Sequence, residues 1–346
     1  MIQNIINRYK RARTNAYLSH RYDSQFAFVG MGQHSLNNLY PVLNYLNVPL
    51  KYICVTSEKK AKLISRKFTG VKATTSISDI LNDDTIKGVF VSTTPTAHFQ
   101  IAKKVLQHGK SLFIEKPPCS SIDELNELIR LSEQYPNSVV TVGLQKRYAP
   151  CSEILKNKLN KENIISYNMR YCTGQYPEGN ALTDLFIHTI DLVIYLFGES
   201  SIVACEKVSK GSYILMLKHG SIVGTLELSS DYSWDSAIET LSVCTQRGVY
   251  NLSQMEELTY IPKQRSICGI PIEKVVKRNS TIEYLFHHNN FSPIIVNNQI
   301  YTQGFYDEIK SFVDLVGNSS KGKKSFSDFS SILNTYEIIT SIKNKF

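Results

Sequence analysis

The sequence predicts an α/β protein in which a parallel sheet comes first and a mostly antiparallel sheet follows. Three observations predict it. Short apolar runs alternate with helical segments through residue 143, the pattern of βαβ units. The first of those runs stops at Gly30-Met31-Gly32, a glycine turn between a strand and a helix. Beyond about residue 150, apolar and polar residues alternate at period two, which suits an antiparallel sheet with one wet face.

Taken in order, residues 1–23 read as a polar, basic helical extension that ends at His20-Arg21-Tyr22-Asp23. Phe26–Val29 is a buried strand, since a short apolar run bounded by glycine has no room to be a helix. Leu36–Leu46 has helical spacing with Pro41 as a blemish, Tyr52–Val55 is the second strand, and Glu58–Phe68 is a charged helix. Gly88–Val91 is a strand, His98–Gln107 a helix, Ser111–Ile114 a strand, Ile122–Tyr135 a helix and Val139–Gly143 a strand. Helices are then expected near Ser152–Leu159 and Leu182–Leu196, with Ile164–Tyr171 between them. Ile202–Lys207, Ser212–Leu217, Ile222–Ser229, Glu239–Thr245 and Gly248–Asn251 follow as alternating strands, and helices near Tyr306–Val316 and Ser327–Ile342 close the chain. The loop with Gly174, Pro177 and Gly179 precedes the helix at Leu182. The division expected is a helical extension (1–23), a dinucleotide-binding domain (24–145) and a substrate and oligomerisation domain (146–346) whose last helix packs back on the first.

Composition bounds the function. The 346 residues are 42% hydrophobic and 20% charged, which suits a globular chain of about two domains. No 18-residue stretch lacks polar side chains, so no spanning helix and no membrane partner are expected. The start has no apolar run followed by a small-residue cleavage site. Seven scattered cysteines without a CxxC indicate neither a zinc cage nor a disulfide framework, and a reducing cytoplasm is the expected compartment. The net charge of +9 favours anionic partners, but it is spread out, with only short clusters such as Lys321, Lys323 and Lys324. No nucleic-acid-binding signature accompanies it, so no nucleic-acid partner is expected. His287-His288 has no acidic or cysteine partner at metal spacing, and no metal is expected.

The glycine turn Gly30-Met31-Gly32-Gln33-His34-Ser35 lets the backbone approach a pyrophosphate and aims a helix N-terminus at it. Ser35 replaces the third small residue of the usual fingerprint. An acid about 20 residues on would bind the adenosine ribose of NAD, yet Val55 and Thr56 stand there. Thr56, Ser57, Lys59 and Lys60 suit a 2′-phosphate better, so the cofactor expected is NADP or NAD, with a lean to NADP.

Several motifs then converge. Thr93-Thr94-Pro95-Thr96-Ala97-His98, Glu115-Lys116-Pro117 after a strand, Val142-Gly143-Leu144-Gln145-Lys146-Arg147-Tyr148-Ala149-Pro150, and Asp184-Leu185-Phe186-Ile187-His188-Thr189-Ile190-Asp191 resemble the Gfo/Idh/MocA oxidoreductase family. The resemblance runs over roughly residues 24–346. It implies an N-terminal Rossmann parallel sheet plus a C-terminal α+β domain on an open, mostly antiparallel sheet. It also implies NAD(P)-dependent redox chemistry on sugars or polyols and self-association, as dimer or tetramer, through the open sheet face. Taken together, the glycine turn, the end of the second strand and the family motifs give the expected cofactor-binding residues: Gly30, Gly32, Gln33, His34, Ser35, Thr56, Ser57, Lys59, Thr93, Thr94, Pro95, His98, Glu115 and Lys116. The sequence departs from the family in Ser35, in the shortened run Gly179-Asn180-Ala181, in the missing acid after the second strand and in the first 23 residues.

The residues themselves suggest the chemistry. On a helix Asp184, His188, Asp191 and Tyr195 fall on one stripe, and the surrounding positions are apolar, as in a buried helix. Ionisable groups on such a helix need partners or a polar cavity. A histidine is suited to exchange a hydroxyl proton near neutral pH. Lys116 is fixed between a strand and two prolines, where its ammonium can stabilise an alkoxide. Lys116, Asp184 and His188 are therefore the expected catalytic residues, with Asp184 orienting His188 or gripping a hydroxyl and Glu115 orienting Lys116 or the turn. Arg147, Tyr148, Arg170 and Tyr171 lie at segment ends within reach of a pocket, and Arg147, Tyr148 and Tyr171 are expected to join Asp184 and His188 in binding substrate, an arginine there suiting a carboxylate or phosphate. The function expected is hydride transfer to or from a sugar, polyol or nucleotide-sugar. The alternatives are a non-catalytic nucleotide-binding subunit for sensing or assembly, and sugar transfer or elimination with the cofactor as a transient hydride store.

Overall fold

A computed structural model describes residues 2–175, 179–264, 266–274, 281–287, 298–317 and 324–346. Pro177, His288, Lys321 and Lys323 lie outside the described residues. The extension forms α1 (Ile2–Ser19), on which Ile2, Ile5 and Tyr9 are exposed.

Six strands follow: β1 (Gln25–Val29), β2 (Leu50–Cys54), β3 (Lys72–Thr74), β4 (Ile86–Val91), β5 (Ser111–Glu115) and β6 (Val140–Gly143). They pair in parallel in the order β3-β2-β1-β4-β5-β6, as the alternating pattern predicts. The order reverses at β1, so a crevice opens beyond the ends of β1 and β4, where such sheets receive ligands. The crossovers are α2 (Tyr40–Tyr45), α3 (Glu58–Lys67), α4 (Ser78–Leu81), α5 (Pro95–Gln107) and α6 (Ile122–Gln134). Neither β3 nor α4 is predicted by periodicity, because three residues and a single turn are too short to show a period.

The helix expected at Leu36–Leu46 is split. Ser35–Leu39 is a π-helical turn, and α2 begins after it with Pro41 in its first turn. A proline has no N–H for the carbonyl one turn back, and the wider turn sits where that bond is missing.

The second sheet is reached through α7 (Pro150–Leu159) and begins with β7 (Ile164–Cys172). A π-helical turn at Leu182–Phe186 runs into α8 (Ile187–Phe197), so the expected single helix changes pitch just where the polar stripe starts. The strands β8 (Ser201–Ser209), β9 (Ser212–His219), β10 (Ile222–Ser229), β11 (Ile238–Thr245), β12 (Gly248–Ser253) and β13 (Glu257–Pro262) come next. A small hairpin, β14 (Ser266–Ile267) with β15 (Ile270–Pro271), precedes β16 (Glu283–His287). Among the described residues the sheet has eight strands in the order β16-β13-β12-β11-β7-β10-β9-β8, antiparallel except for β7 against β10. One face is buried and the other open: along β9, Leu215 and Leu217 are buried while Ile214 and Met216 are exposed. The strands β13 and β16 escape the sequence reading because their burial does not alternate.

The chain ends with α9 (Gln299–Thr302), α10 (Phe305–Gly317) and α11 (Leu333–Lys345). α10 lies on the first sheet, its Phe312 ring 5.1 Å from Phe90 and 5.8 Å from Phe113. α11 packs near α6 and α8, and the Tyr336 hydroxyl donates to the Cys119 carbonyl at 2.8 Å. Among the described residues no helix is long and apolar enough to cross a membrane.

Candidate active site

The crevice beyond β1 and β4 is a cleft of about 580 Å³. Gly30 has φ +86°, and a Cβ there would stand 2.3 Å from the Ser92 carbonyl oxygen, so the turn requires glycine. A Cβ on Gly32 would meet nothing within 4 Å. The first glycine shapes the turn, and the second leaves open space at a helix start, which fits a dinucleotide pyrophosphate. Ser35, in place of the third small residue, is buried and donates to the Ser92 hydroxyl at 3.0 Å. Thr56, Lys60 and Thr75 line one end of the cleft, and Thr93, Thr94 and Ala97 line its far wall.

A second cavity of about 550 Å³ lies against the buried face of the large sheet. Lys116 enters it from the turn after β5, Asp184 and His188 from the π-turn and α8, and Tyr171 and Glu239 from neighbouring strands. His34 lines both the cleft and this cavity, so the two share an edge.

His188 Nδ1 is buried and has no hydrogen-bond partner among the described residues. Burial holds its pKa well below the ordinary histidine value, and Lys116, Lys146 and His34 push it the same way. The ring is therefore neutral at physiological pH, with a nitrogen to offer. Lys116 Nζ donates to the main-chain oxygen of Asp184. Burial lowers the Lys116 pKa and Lys146 adds to that, with Glu115 and Asp184 opposing. A neutral imidazole and a cation whose pKa is depressed, lining one cavity, can exchange a proton with a hydroxyl and stabilise the charge left on its oxygen.

Asp184 is turned to local work. Its carboxylate accepts from the Asn180 N–H at 2.8 Å and the Thr183 hydroxyl at 3.2 Å, and it makes no hydrogen bond to His188 among the described residues. The stripe expected along the helix divides, because the π-turn breaks the 100° step. Asp191 faces the buried guanidinium of Arg147, whose Nε donates to it at 2.7 Å, and also accepts from Thr335. The Tyr195 ring carries Lys156 Nζ 3.4 Å from its centroid.

Other expected site residues are placed differently. Arg147 is spent on Asp191, Ser331 and the Phe326 carbonyl, and with Tyr148 it lines a separate cavity beside α10. The Tyr148 hydroxyl contacts Ser325 and Ser327. Neither lines the cavity of His188; they are drawn into the interior because a buried guanidinium must satisfy its donors. Glu115 faces His34, at 3.2 Å, rather than Lys116. Burial would raise the Glu115 pKa, but His34, Lys116 and His98 outweigh it and keep the carboxylate ionised. His98 is buried outside the cleft lining and bridges two turns, with Nδ1 2.8 Å from the Pro117 oxygen and Nε2 3.1 Å from that of Thr93. Pro95 sits in the first turn of α5 rather than on the cleft wall. Ser57 caps α3 by accepting from the Lys60 N–H at 3.3 Å, and Lys59 is exposed outside the lining. Arg170 pairs with Glu227 on the open sheet face.

The sequence reading misses several lining residues. Lys146 is buried, paired with Glu239, and sits 4.6 Å from the Tyr171 ring centroid. It lies inside the Gln145-Lys146-Arg147 run, in the buried turn that follows β6, where a lysine so close to the end of a buried strand was a usable signal. Trp234, Gln254, Gln299 and Gln303 also line the cavity, and no sequence spacing connects them. Among the described residues no three His, Cys, Asp or Glu side chains form a metal site.

Residues 24–144 match the sequence profile described as "Oxidoreductase family, NAD-binding Rossmann fold". The chain is 28% identical over 150 residues to the uncharacterized oxidoreductase YhhX of Escherichia coli, which covers 40% of this chain and 43% of that protein. It is 23% identical over 133 residues to an inositol 2-dehydrogenase of Ralstonia nicotianae, covering 36% and 40%. The chain thus spans about two fifths of the length of these relatives. In fold, it is similar to a dehydrogenase from Chromobacterium violaceum, with a TM-score of 0.79 and 17% identity over 94% of this chain and 96% of that one. It is likewise similar to a levoglucosan dehydrogenase solved with NADH and levoglucosan, with a TM-score of 0.74 and 15% identity over 93% and 96%.

Proposed function

We propose that this chain, whose residues 24–144 match the NAD-binding Rossmann profile of the Gfo/Idh/MocA oxidoreductases, is an oxidoreductase of that family and moves hydride between a nicotinamide dinucleotide and a hydroxyl- or keto-bearing carbon of a sugar, polyol or nucleotide-sugar. The observation that carries the reading is the edge at His34. It joins a glycine-turn cleft to a cavity lined by a neutral His188 and by Lys116.

The turn from Gly30 to Ser35, with Thr93 and Thr94, would hold the dinucleotide, and Thr56 and Lys60 its adenosine end. When bound, the nicotinamide would accept or give the hydride. In oxidation the neutral His188 ring takes the hydroxyl proton as the C–H bond gives up its hydride, leaving a carbonyl; reduction runs the same exchange backwards. Lys116 uses one N–H on the Asp184 carbonyl and has two left for the reacting oxygen. Asp184 acts through the turn that sets both Lys116 and His188, as a positioning residue.

Lys60 and Thr56 supply a cation and a hydroxyl, and among the described lining residues no carboxylate joins them, which supports the lean to NADP. Glu58, the nearby acid, accepts from the Thr75 hydroxyl at 2.8 Å. The open sheet face, with Ile214 and Met216 exposed, supports a homo-oligomer joined through that face.

A panel of sugars, polyols and nucleotide-sugars, followed by nicotinamide absorbance with both cofactors, tests the reading. At least one compound should give sustained turnover. No turnover in either direction across the panel contradicts it, and cofactor retained through purification without net absorbance change would point to transient hydride storage instead.

A further inference from the structure

We propose that Trp234 is the stacking platform for substrate, and that what it receives is the C–H face of an uncharged cyclic polyol, a pyranose or cyclitol. The proposal rests on the redox reading of the cavity. Trp234 lines the cavity of His188 and Lys116 and is 57% exposed, unusual for so large a side chain. It is nevertheless fixed. The indole lies flat on Gly174, where a Cβ would stand 2.2 Å from its Cδ1, and Nε1 donates to the Gln175 carbonyl at 3.1 Å. With one face on backbone and its N–H spent, the indole offers the cavity only an aromatic face. A sugar ring supplies the complement, a patch of C–H bonds with hydroxyls around its rim. Gln254, Gln299 and Gln303 line the same cavity and present amide donors and acceptors for those hydroxyls.

The charge balance selects against acids and phosphates. Lys146 is neutralised by Glu239, and His34 faces Glu115. Arg147 is consumed by Asp191. Among the described lining residues this leaves Lys116 for the reacting oxygen and no second cation for a carboxylate or phosphate.

The sequence contains a single tryptophan, so the protein's tryptophan emission reports this indole alone. The full-length protein is titrated with myo-inositol, D-glucose and levoglucosan, with sorbitol and D-glucuronate as the open-chain and acidic probes. At least one neutral ring should give a saturable change in emission that sorbitol and glucuronate do not. For that ring, Trp234→Ala should raise KM about tenfold, a loss of about 1.4 kcal/mol, with dinucleotide affinity unchanged, and Trp234→Phe should retain most of the native KM. Gly174→Ala, which lifts the indole from its seat, should raise KM in the same direction. Saturable emission change without turnover upholds the platform while overturning the redox reading. Turnover of a ring with unchanged emission, an unchanged KM in both Trp234→Ala and Gly174→Ala, a response to glucuronate equal to that of the rings, or no response to any ring overturns the proposal.

Discussion

The ammonium of Lys116, just past the end of β5, donates to the main-chain oxygen of Asp184, in the turn that feeds the helix carrying His188. One hydrogen bond thus joins the nucleotide-binding sheet to the element that presents the proposed base. The same cation is the one proposed to touch the reacting oxygen, so the geometry of the two domains and the chemistry are set together.

Lys116→Met should therefore cost about 10²–10³ in kcat, the scale of removing one donor to a developing oxyanion. Burial and Lys146 lower the Lys116 pKa, so the native alkaline limb should fall below pH 10.5, as the ammonium is lost. In the methionine variant that limb should vanish. Steady-state kinetics across alkaline pH check both.

Gly30 and Gly32 should fail in different ways. Gly30→Ala meets the Ser92 carbonyl at 2.3 Å with φ at +86°, so its melting temperature should drop. Gly32→Val meets no protein atom with its Cβ, so the fold should hold while dinucleotide affinity falls about a hundredfold, measured by calorimetry. Equal losses of stability in both would contradict the assignment of the open space to a ligand.

Lys60→Glu should shift the ratio of kcat/KM values from NADP towards NAD about tenfold or more, by replacing a cation at the cleft wall with an anion. An unchanged ratio would remove Lys60 from the 2′-phosphate contact. Lys59→Glu, outside the lining, should leave the ratio where it was.

Arg147→Ala strands the buried carboxylate of Asp191 and should cost about 3–5 kcal/mol in urea denaturation. Substituting Asp191 as well should recover part of that loss, since the unpaired charge goes with it. A variant of native stability with altered substrate KM would return Arg147 to the substrate site.

These particulars show what could be read beforehand. The glycine turn, the strand before Glu115-Lys116 and the late alternating strands were legible because each rests on a local period or a local steric need. The pocket position of Lys116 and His188 was legible because two motifs with fixed local geometry carry them. Arg147, Tyr148 and His98 were misplaced because polarity marks a residue as needing a partner without saying which one. Each found its partner in the interior, far along the chain in the case of Asp191, Ser325 and Ser331. The stripe through Asp184 and Asp191 failed for a different reason, since a π-turn changes the step per residue and no sequence pattern announces it. Trp234 on Gly174 and Lys146 on Glu239 are meetings between remote segments, visible only once the sheet is folded.

His188 is proposed to work as a neutral base. Its pKa is held well below the ordinary histidine value of 6.5, so lowering the pH from neutral to 6.5 should leave the ring unprotonated and kcat/KM for oxidation steady. The acidic limb should appear only below that pH, as the ring takes up a proton. The deciding measurement is the pH dependence of kcat/KM for the native protein and for His188→Gln on the same sugar. With His188 as the base, the variant should lose about 10²–10⁴ in rate, and the acidic limb should disappear. A variant that keeps the native rate and the native limb would contradict that role.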